Sequence, residues 1–234
     1  GHSRKDATSI EIGIDPGEAG AHALARAGEA CLALIERHRA AGREALIVGL
    51  GVGASGLVQS RTGVNVFSPN LGWRDIPMQA LLHAQVGLPV AVDNNVRCMA
   101  LAESLYGVGR NVRALACVFA RTGVGAGLVV EGELYHGADY GAGEIGHWVM
   151  TPGMGELCGC GNRGCLETYI SEQALLSLAE AIQPDLARGR SDPLNVIFDA
   201  ARDGHIALVE MLEERASYLG AALANLVTVL NPEL

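Results

Sequence analysis

The chain has 234 residues, 49% hydrophobic and 18% charged, which supports one large or two small cores and excludes a disordered chain. Its net charge of −9 excludes strong binding to a nucleic-acid backbone by this chain itself, because that needs clustered Lys and Arg. No apolar run reaches the roughly 18 residues that span a bilayer, and the polar opening residues GHSRKDATS carry no export signal, so a cytoplasmic protein with reduced cysteines is expected.

The first predicted element is a helix entered through IEIGIDPGEAG, which ends at Gly20. Asp15 suits an N-cap, Pro16 the first helical position, and Glu18 the far side of a capping box. Leu24, Ala27, Cys31, Leu34, Ile35 and His38 then repeat at helical spacing to about Ala40. Leu46 to Val52 reads as a buried strand, Gly53 to Gly56 as a tight loop, and Val64 to Phe67 as a second strand. Ser68 to Trp73 reads as a loop in which Asn70 is a turn former. A helix over Ile76 to Val86 and a strand over Leu88 to Val92 follow. That strand delivers Asp93, Asn94 and Asn95 to its carboxyl end, where open α/β sheets hold ligands; a capped turn is the competing reading. The next helix is expected to turn Met99, Leu101, Ala102 and Leu105 inward.

Ala114 to Ala120 reads as a strand. A glycine run follows over Arg121 to Gly127, then a hairpin turning at Glu131-Gly132. Helices are predicted over Ser171 to Ala187, Pro193 to Arg202 and Ala207 to Leu230. The last carries an apolar stripe of Leu208, Met211, Leu212, Leu219, Leu223, Leu226 and Leu230 and stops at Asn231-Pro232. Cys31, Cys98 and Cys117 lie in apolar stretches and read as buried thiols.

The densest chemistry lies between Gly143 and Glu167. Cys158, Cys160 and Cys165 fall within eight residues, and His147 stands upstream. Three thiolates and an imidazole make a closed tetrahedral zinc site with no place left for water. Disulfides or coincidence are the alternatives for the thiols, and a core position is the alternative for the histidine. Glu144 and Glu167 bracket the stretch, so a zinc-clamped loop would hold two carboxylates in place.

GEIGH followed by C-x-C-G-x-x-G-C-L-E resembles the signature of the ROK family (repressor, open reading frame, kinase). The likeness extends from about Leu46 to Leu234. It implies an α/β, actin-like (ribonuclease H-like) two-lobe fold truncated at both ends. Residues 1–95 would form an incomplete small lobe and residues 96–234 a large lobe with the zinc loop at 143–167. It implies structural zinc on His147, Cys158, Cys160 and Cys165, and sugar contacts from Glu144, His147 and Glu167, joined by Asn94 and Asn95. The glycine run Arg121 to Gly127 resembles the family's phosphate-binding loop. By contrast GIDPG is not read as the family's first phosphate turn, since no Thr follows its second glycine.

Three functions from different classes follow. The first is the sugar-binding effector domain of a ROK transcriptional regulator, similar to the N-acetylglucosamine and xylose repressors, with its DNA-binding helix-turn-helix outside this chain. The second is an ATP-dependent sugar kinase of the glucokinase type. The third is a zinc-stabilised interaction module. In kinases of the family an Asp takes the proton from the sugar hydroxyl. Asn95 holds that place here, and an amide cannot take a proton at neutral pH. No catalytic residue is therefore assigned, and the regulator is the preferred reading. The retained polar groups Glu144, His147 and Glu167 argue against the third. Resemblance also implies a homodimer or a dimer of dimers.

Overall fold

The computed structural model describes residues 10–14, 17–42 and 47–234. The chain divides into two compact units, Gly1–Cys98 and Met99–Leu234.

In the first unit the helix α1 (Gly20–Ala40) packs on α2 (Met78–Val86). A parallel pair joins β1 (Leu50–Ala54) to β5 (Val90–Asn94), in register from Leu50 opposite Val90 to Ala54 opposite Asn94. A second, antiparallel sheet runs β2 (Leu57–Gln59), β3 (Val64–Ser68) and β4 (Trp73–Ile76). Leu24, Val58, Trp73, Met78, Leu82, Val90 and Val92 form the core. The buried indole of Trp73 meets its polar requirement by donating from Nε1 to the Glu18 carbonyl at 2.9 Å.

Several expectations are corrected here. Asp15, Pro16 and Leu46 lie outside the described residues. The helix α1 starts only at Gly20, with Ala19 as its N-cap and no side-chain cap. Glu18 therefore precedes the helix, and its carboxylate, 8% exposed, pairs with Arg26 at 2.7 Å and His22 at 3.1 Å. Gly53 and Ala54 belong to strand β1, and the turn sits at Ser55-Gly56. Trp73 and Ile76 bound a strand, since Pro77 delays the helix to Met78. Asn70 does lie in a single 3₁₀ turn, Pro69–Leu71.

Helix α3 (Asn95–Tyr106) is out of phase with the sequence reading. Met99 and Leu101 are each 41% exposed and Leu105 is 52% exposed, whereas Val96, Arg97 and Ala100 are buried. A charged residue and a small one occupy the inward face, and a count of large apolar residues does not register them.

In the second unit an antiparallel sheet runs β6 (Leu115–Ala120), β7 (Val124–Val130) and β8 (Glu133–Tyr135). Half of the glycine run is therefore strand: Gly125 faces Phe119 and Gly127 faces Cys117 across the ladder. The turn is confined to Arg121–Gly123, where the Arg121 N–H donates to the Gly123 carbonyl. Helices α4 (Glu167–Ile170), α5 (Glu172–Ile182), α6 (Pro193–Arg202) and α7 (Ile206–Leu230) complete the unit. Val124, Ala126, Ile145, Leu166, Ala222 and Leu226 form one core cluster; Leu175, Ala179, Ile197, Leu208 and Met211 form another. Leu223, predicted within the stripe of α7, is 37% exposed, and Ala222 is buried in its place. The helix stops at Asn231, which adopts the left-handed conformation of a C-cap. Cys31, Cys98 and Cys117 are only half-buried, and burial raises each of these thiols above its ordinary pKa.

Candidate metal centre and flanking carboxylates

The segment after β8 is pressed against β7. Ala126 donates its N–H to the Gly143 carbonyl at 2.7 Å. Gly143 has φ +88°, and a Cβ there would lie 1.8 Å from the Ala126 carbonyl oxygen. At Gly146 a Cβ would lie 2.2 Å from the Val124 carbonyl oxygen. Only glycine allows this approach, so the two glycines of GEIGH hold the turn Ile145–His147 on the strand. Ile145, 2% exposed, anchors it, and His147 projects from its end.

A short antiparallel pairing then brings the cysteines to the histidine. Met150 donates to the Gly164 carbonyl at 2.7 Å and Leu166 to the Trp148 carbonyl at 2.9 Å, with Val149 opposite Cys165. A second reversal, closed by Cys158 N–H on the Asn162 carbonyl at 2.8 Å, carries Cys158 and Cys160 back to the same point. His147 Nδ1 and Cys158 Sγ are 3.5 Å apart, and Cys160 Sγ and Cys165 Sγ 3.7 Å. The four ligand atoms all lie within 4.8 Å of one another.

These spacings fit one tetrahedral ion. Zn–S near 2.3 Å and Zn–N near 2.0–2.1 Å give ligand separations of about 3.8 Å for S···S and about 3.5 Å for N···S. The sulfurs are too far apart for a disulfide bond, which needs about 2.05 Å, and all six cysteines are free thiols. Without a cation the thiols resist ionisation together. Burial, then hydrogen bonds with Cys160 and Cys158, push Cys165 up to about 12. Burial raises Cys158 as well. Burial also works to raise Cys160, but hydrogen bonds from the Asn162 backbone and from the other two thiols outweigh it and leave that thiol lowered. The cluster can hold a metal ion, and a cation there would have to displace the protons that burial keeps on Cys158 and Cys165.

With Nδ1 turned to the thiols, His147 Nε2 faces the Glu144 carboxylate at 4.0 Å. Glu167 lies two residues beyond Cys165, and its Oε2 accepts the Val124 N–H at 3.1 Å. The start of β7 therefore supports both acids: Val124 holds Glu167 through its N–H, and its carbonyl packs against the Gly146 turn that carries Glu144 and His147. Val124 is a site residue that the sequence reading did not find. Only its place at the start of a strand after a tight turn hinted at it.

Asn94 and Asn95 belong to the first unit. Asn94, 7% exposed, has most of its amide committed to backbone. Its Oδ1 accepts from Val96 at 2.8 Å and Arg97 at 3.1 Å, capping α3, and its Nδ2 donates to the Gly56 carbonyl at 2.9 Å. The neighbouring Asp93 Oδ1 accepts from the Asn94 N–H at 2.6 Å and from Arg97 Nε at 2.7 Å. Arg97, 1% exposed, also donates to the Val58 carbonyl at 2.7 Å. Sequence reasoning missed this arginine, since nothing marks a surface from a buried guanidinium in a helical run. Asn95 follows as the first residue of α3, half-buried.

Residues 22–234 match the sequence profile of the ROK family. The chain is 32% identical over 197 residues to the xylose repressor of Caldicellulosiruptor bescii, covering 80% of this chain and 49% of that protein. It is 36% identical over 196 residues to the glucokinase of Halalkalibacterium halodurans, covering 80% of this chain and 59% of that protein. Among solved structures it resembles a ROK family transcriptional regulator, homolog of the E. coli MLC protein. That match has 30% identity and a TM-score of 0.75, over 90% of this chain and 54% of that one. The chain thus spans about half the length of the repressor and regulator it matches. No described helix is long and apolar enough to cross a membrane.

Proposed function

This chain belongs to the ROK family, and on that premise we propose that it is the sugar-binding effector region of a transcriptional regulator, acting on DNA through a helix-turn-helix outside this chain. Asn95 carries the reading. A sugar kinase needs a base beside the attacking hydroxyl, and a carboxamide hydrogen-bonds a hydroxyl without taking its proton. Such a residue suits recognition and does not suit transfer.

The proposed ligand is a pyranose contacted by Asn95, Glu144, His147 and Glu167. Asn94 helps chiefly by capping α3 and so fixing where Asn95 stands. Carboxylates accept from hydroxyls in charge-assisted bonds, the stronger kind. The proposed metal is zinc on His147, Cys158, Cys160 and Cys165, which supplies a rigid, redox-inert clamp. With Nδ1 directed at the thiols, His147 keeps its proton on Nε2, where it can serve Glu144 or a sugar oxygen.

The second reading, an ATP-dependent sugar kinase, is favoured by the 36% identity to a glucokinase. Calorimetry of the full-length protein with xylose, glucose and N-acetylglucosamine, run beside an ATP-coupled phosphorylation assay, separates the two. Saturable binding of one sugar without turnover is expected. Robust phosphorylation overturns the regulator reading, and binding of none overturns both.

A further inference from the structure

The reversal that carries Cys158 and Cys160 has an exposed tip and a buried floor. Gly159 to Arg163 are exposed, whereas Gly164, Cys165 and Leu166 are buried. The tip is open to solvent: a Cβ on Gly161 would meet nothing within 4 Å. The floor is pinned on both sides of Cys165, by Met150 N–H on the Gly164 carbonyl and Leu166 N–H on the Trp148 carbonyl. Cys160 is therefore exposed, while Cys158 is 4% and Cys165 0% exposed. One thiol of the cluster meets solvent and two stand behind it.

Cys160 Sγ lies 3.7 Å from Cys165 Sγ. A disulfide needs about 2.05 Å, so the two sulfurs must approach by about 1.7 Å. Four residues separate these cysteines, and two of them, Gly161 and Gly164, are glycines. A bridge from Cys160 to Cys158 would enclose a single residue, too short a loop for relaxed disulfide geometry. Cys31 and Cys98 lie in the other unit, and Cys117 lies on β6. An accessible thiol beside a second thiol that can resolve it is the arrangement of reversible oxidation.

We propose that Cys160 and Cys165 form a redox switch: hydrogen peroxide oxidises the exposed thiol, the buried thiol closes on it, and the resulting disulfide disables the metal centre. The Cys160 sulfur attacks one peroxide oxygen. An S–O bond forms, the O–O bond breaks, and the departing hydroxide takes the thiol proton and leaves as water. The Cys165 sulfur then attacks the Cys160 sulfenic acid. The S–S bond forms, the S–O bond breaks, and the second hydroxide leaves with the Cys165 proton as water. Two electrons pass from the thiols to one peroxide, and a dithiol returns them by thiol–disulfide exchange. In a metal-loaded centre both sulfurs are already deprotonated, so two hydroxide ions leave in place of two waters. The disulfide removes two of the four ligands and leaves His147 and Cys158, too few for a closed tetrahedral site. The disulfide rests on the thiol geometry alone, whereas the loss of metal rests on the zinc reading above.

The test uses the full-length protein, reduced, freed of reductant and treated with stoichiometric hydrogen peroxide. Peptide mass spectrometry without reduction reads the linkage, and a chromogenic chelator reads released metal. A Cys160–Cys165 link is expected in most chains, with one metal ion released per link, and dithiothreitol should reverse both. Cys160→Ser should abolish the link, and Cys117→Ser should leave it unchanged. The linkage map of the unsubstituted protein decides the matter even if Cys160→Ser fails to fold. The proposal is overturned if Cys160 stops at the sulfenic or sulfinic acid with Cys165 still a thiol. It is also overturned if the link joins any other pair of cysteines, or if peroxide leaves all the thiols intact. A Cys160–Cys165 link in protein that carried no metal supports the disulfide and overturns the zinc reading. Metal retained by linked protein overturns the disabling of the centre.

Discussion

At the scale of single residues, the proposed sugar contact Glu144 and the helix cap Asn94 lead to different expectations. Glu144 faces His147 Nε2 from a turn fixed by backbone contacts, so its charge is not needed to hold the turn. Glu144→Gln keeps the shape and removes the charge. It should weaken binding of the cognate sugar by roughly 1.5–3 kcal/mol, the scale of a hydrogen bond to a charged group. Metal content, measured by atomic emission, should stay the same. If calorimetry finds equal affinity in the variant, the sugar contacts lie elsewhere. Asn94 behaves differently because its amide caps α3 and ties it to Gly56. Asn94→Ala should therefore lower stability by about 1–2 kcal/mol, read as a shift in denaturation midpoint with unchanged slope.

At the scale of elements, the thiol loop is a fold within the fold, and its stability should follow the metal proposed for it. Structural metal binding contributes directly to folding, so Cys160→Ser or a chelator should lower the melting temperature and loosen residues 143–167. The pH dependence has opposite signs with and without the ion. In the metal-free loop Cys165 is pushed up from 9.0 to about 12. A folded-state pKa raised above the unfolded value gives stability that is present below pH 9 and lost as pH climbs toward 12. In the loaded loop, the same thiols must release protons to bind the ion, so affinity rises with pH and the ion's contribution falls on acidification. Thermal melts of the loaded protein should therefore drop between pH 8 and pH 6, while chelated protein should not share that drop. A chelated protein with an identical melting profile would show that no ion is bound. The loop was legible in the sequence because its ligands are chemically distinctive and closely spaced. Elements that depend on tertiary contact were less legible. Strands β2 and β4 are only three and four residues long and carry no period of their own. Val124 and Arg97 owe their roles to a backbone N–H and to burial, neither of which composition reveals.

At the scale of the whole molecule, charge and the base position lead to one further expectation. The chain carries a net charge of −9, and affinity for duplex DNA comes chiefly from neutralising phosphates with Lys and Arg. In a regulator covered only to about half its length by this chain, as with the xylose repressor it resembles, the DNA-binding surface must come from the remaining half. This chain alone should therefore fail to retard duplex DNA at physiological salt. The full-length protein should bind its operator with an affinity that falls steeply as salt rises, and the cognate sugar should change that affinity. The full-length protein should also lack sugar kinase activity above a trace, because loss of a general base typically costs about 10² to 10⁴ in rate. A gel-shift salt series and an ATP-coupled assay on one preparation decide the matter together. Sugar-responsive DNA binding without turnover supports the regulator. Turnover at ordinary enzyme rates, near 1–10³ s⁻¹, with no DNA binding at any salt would mean that Asn95 is not the residue that sets the chemistry.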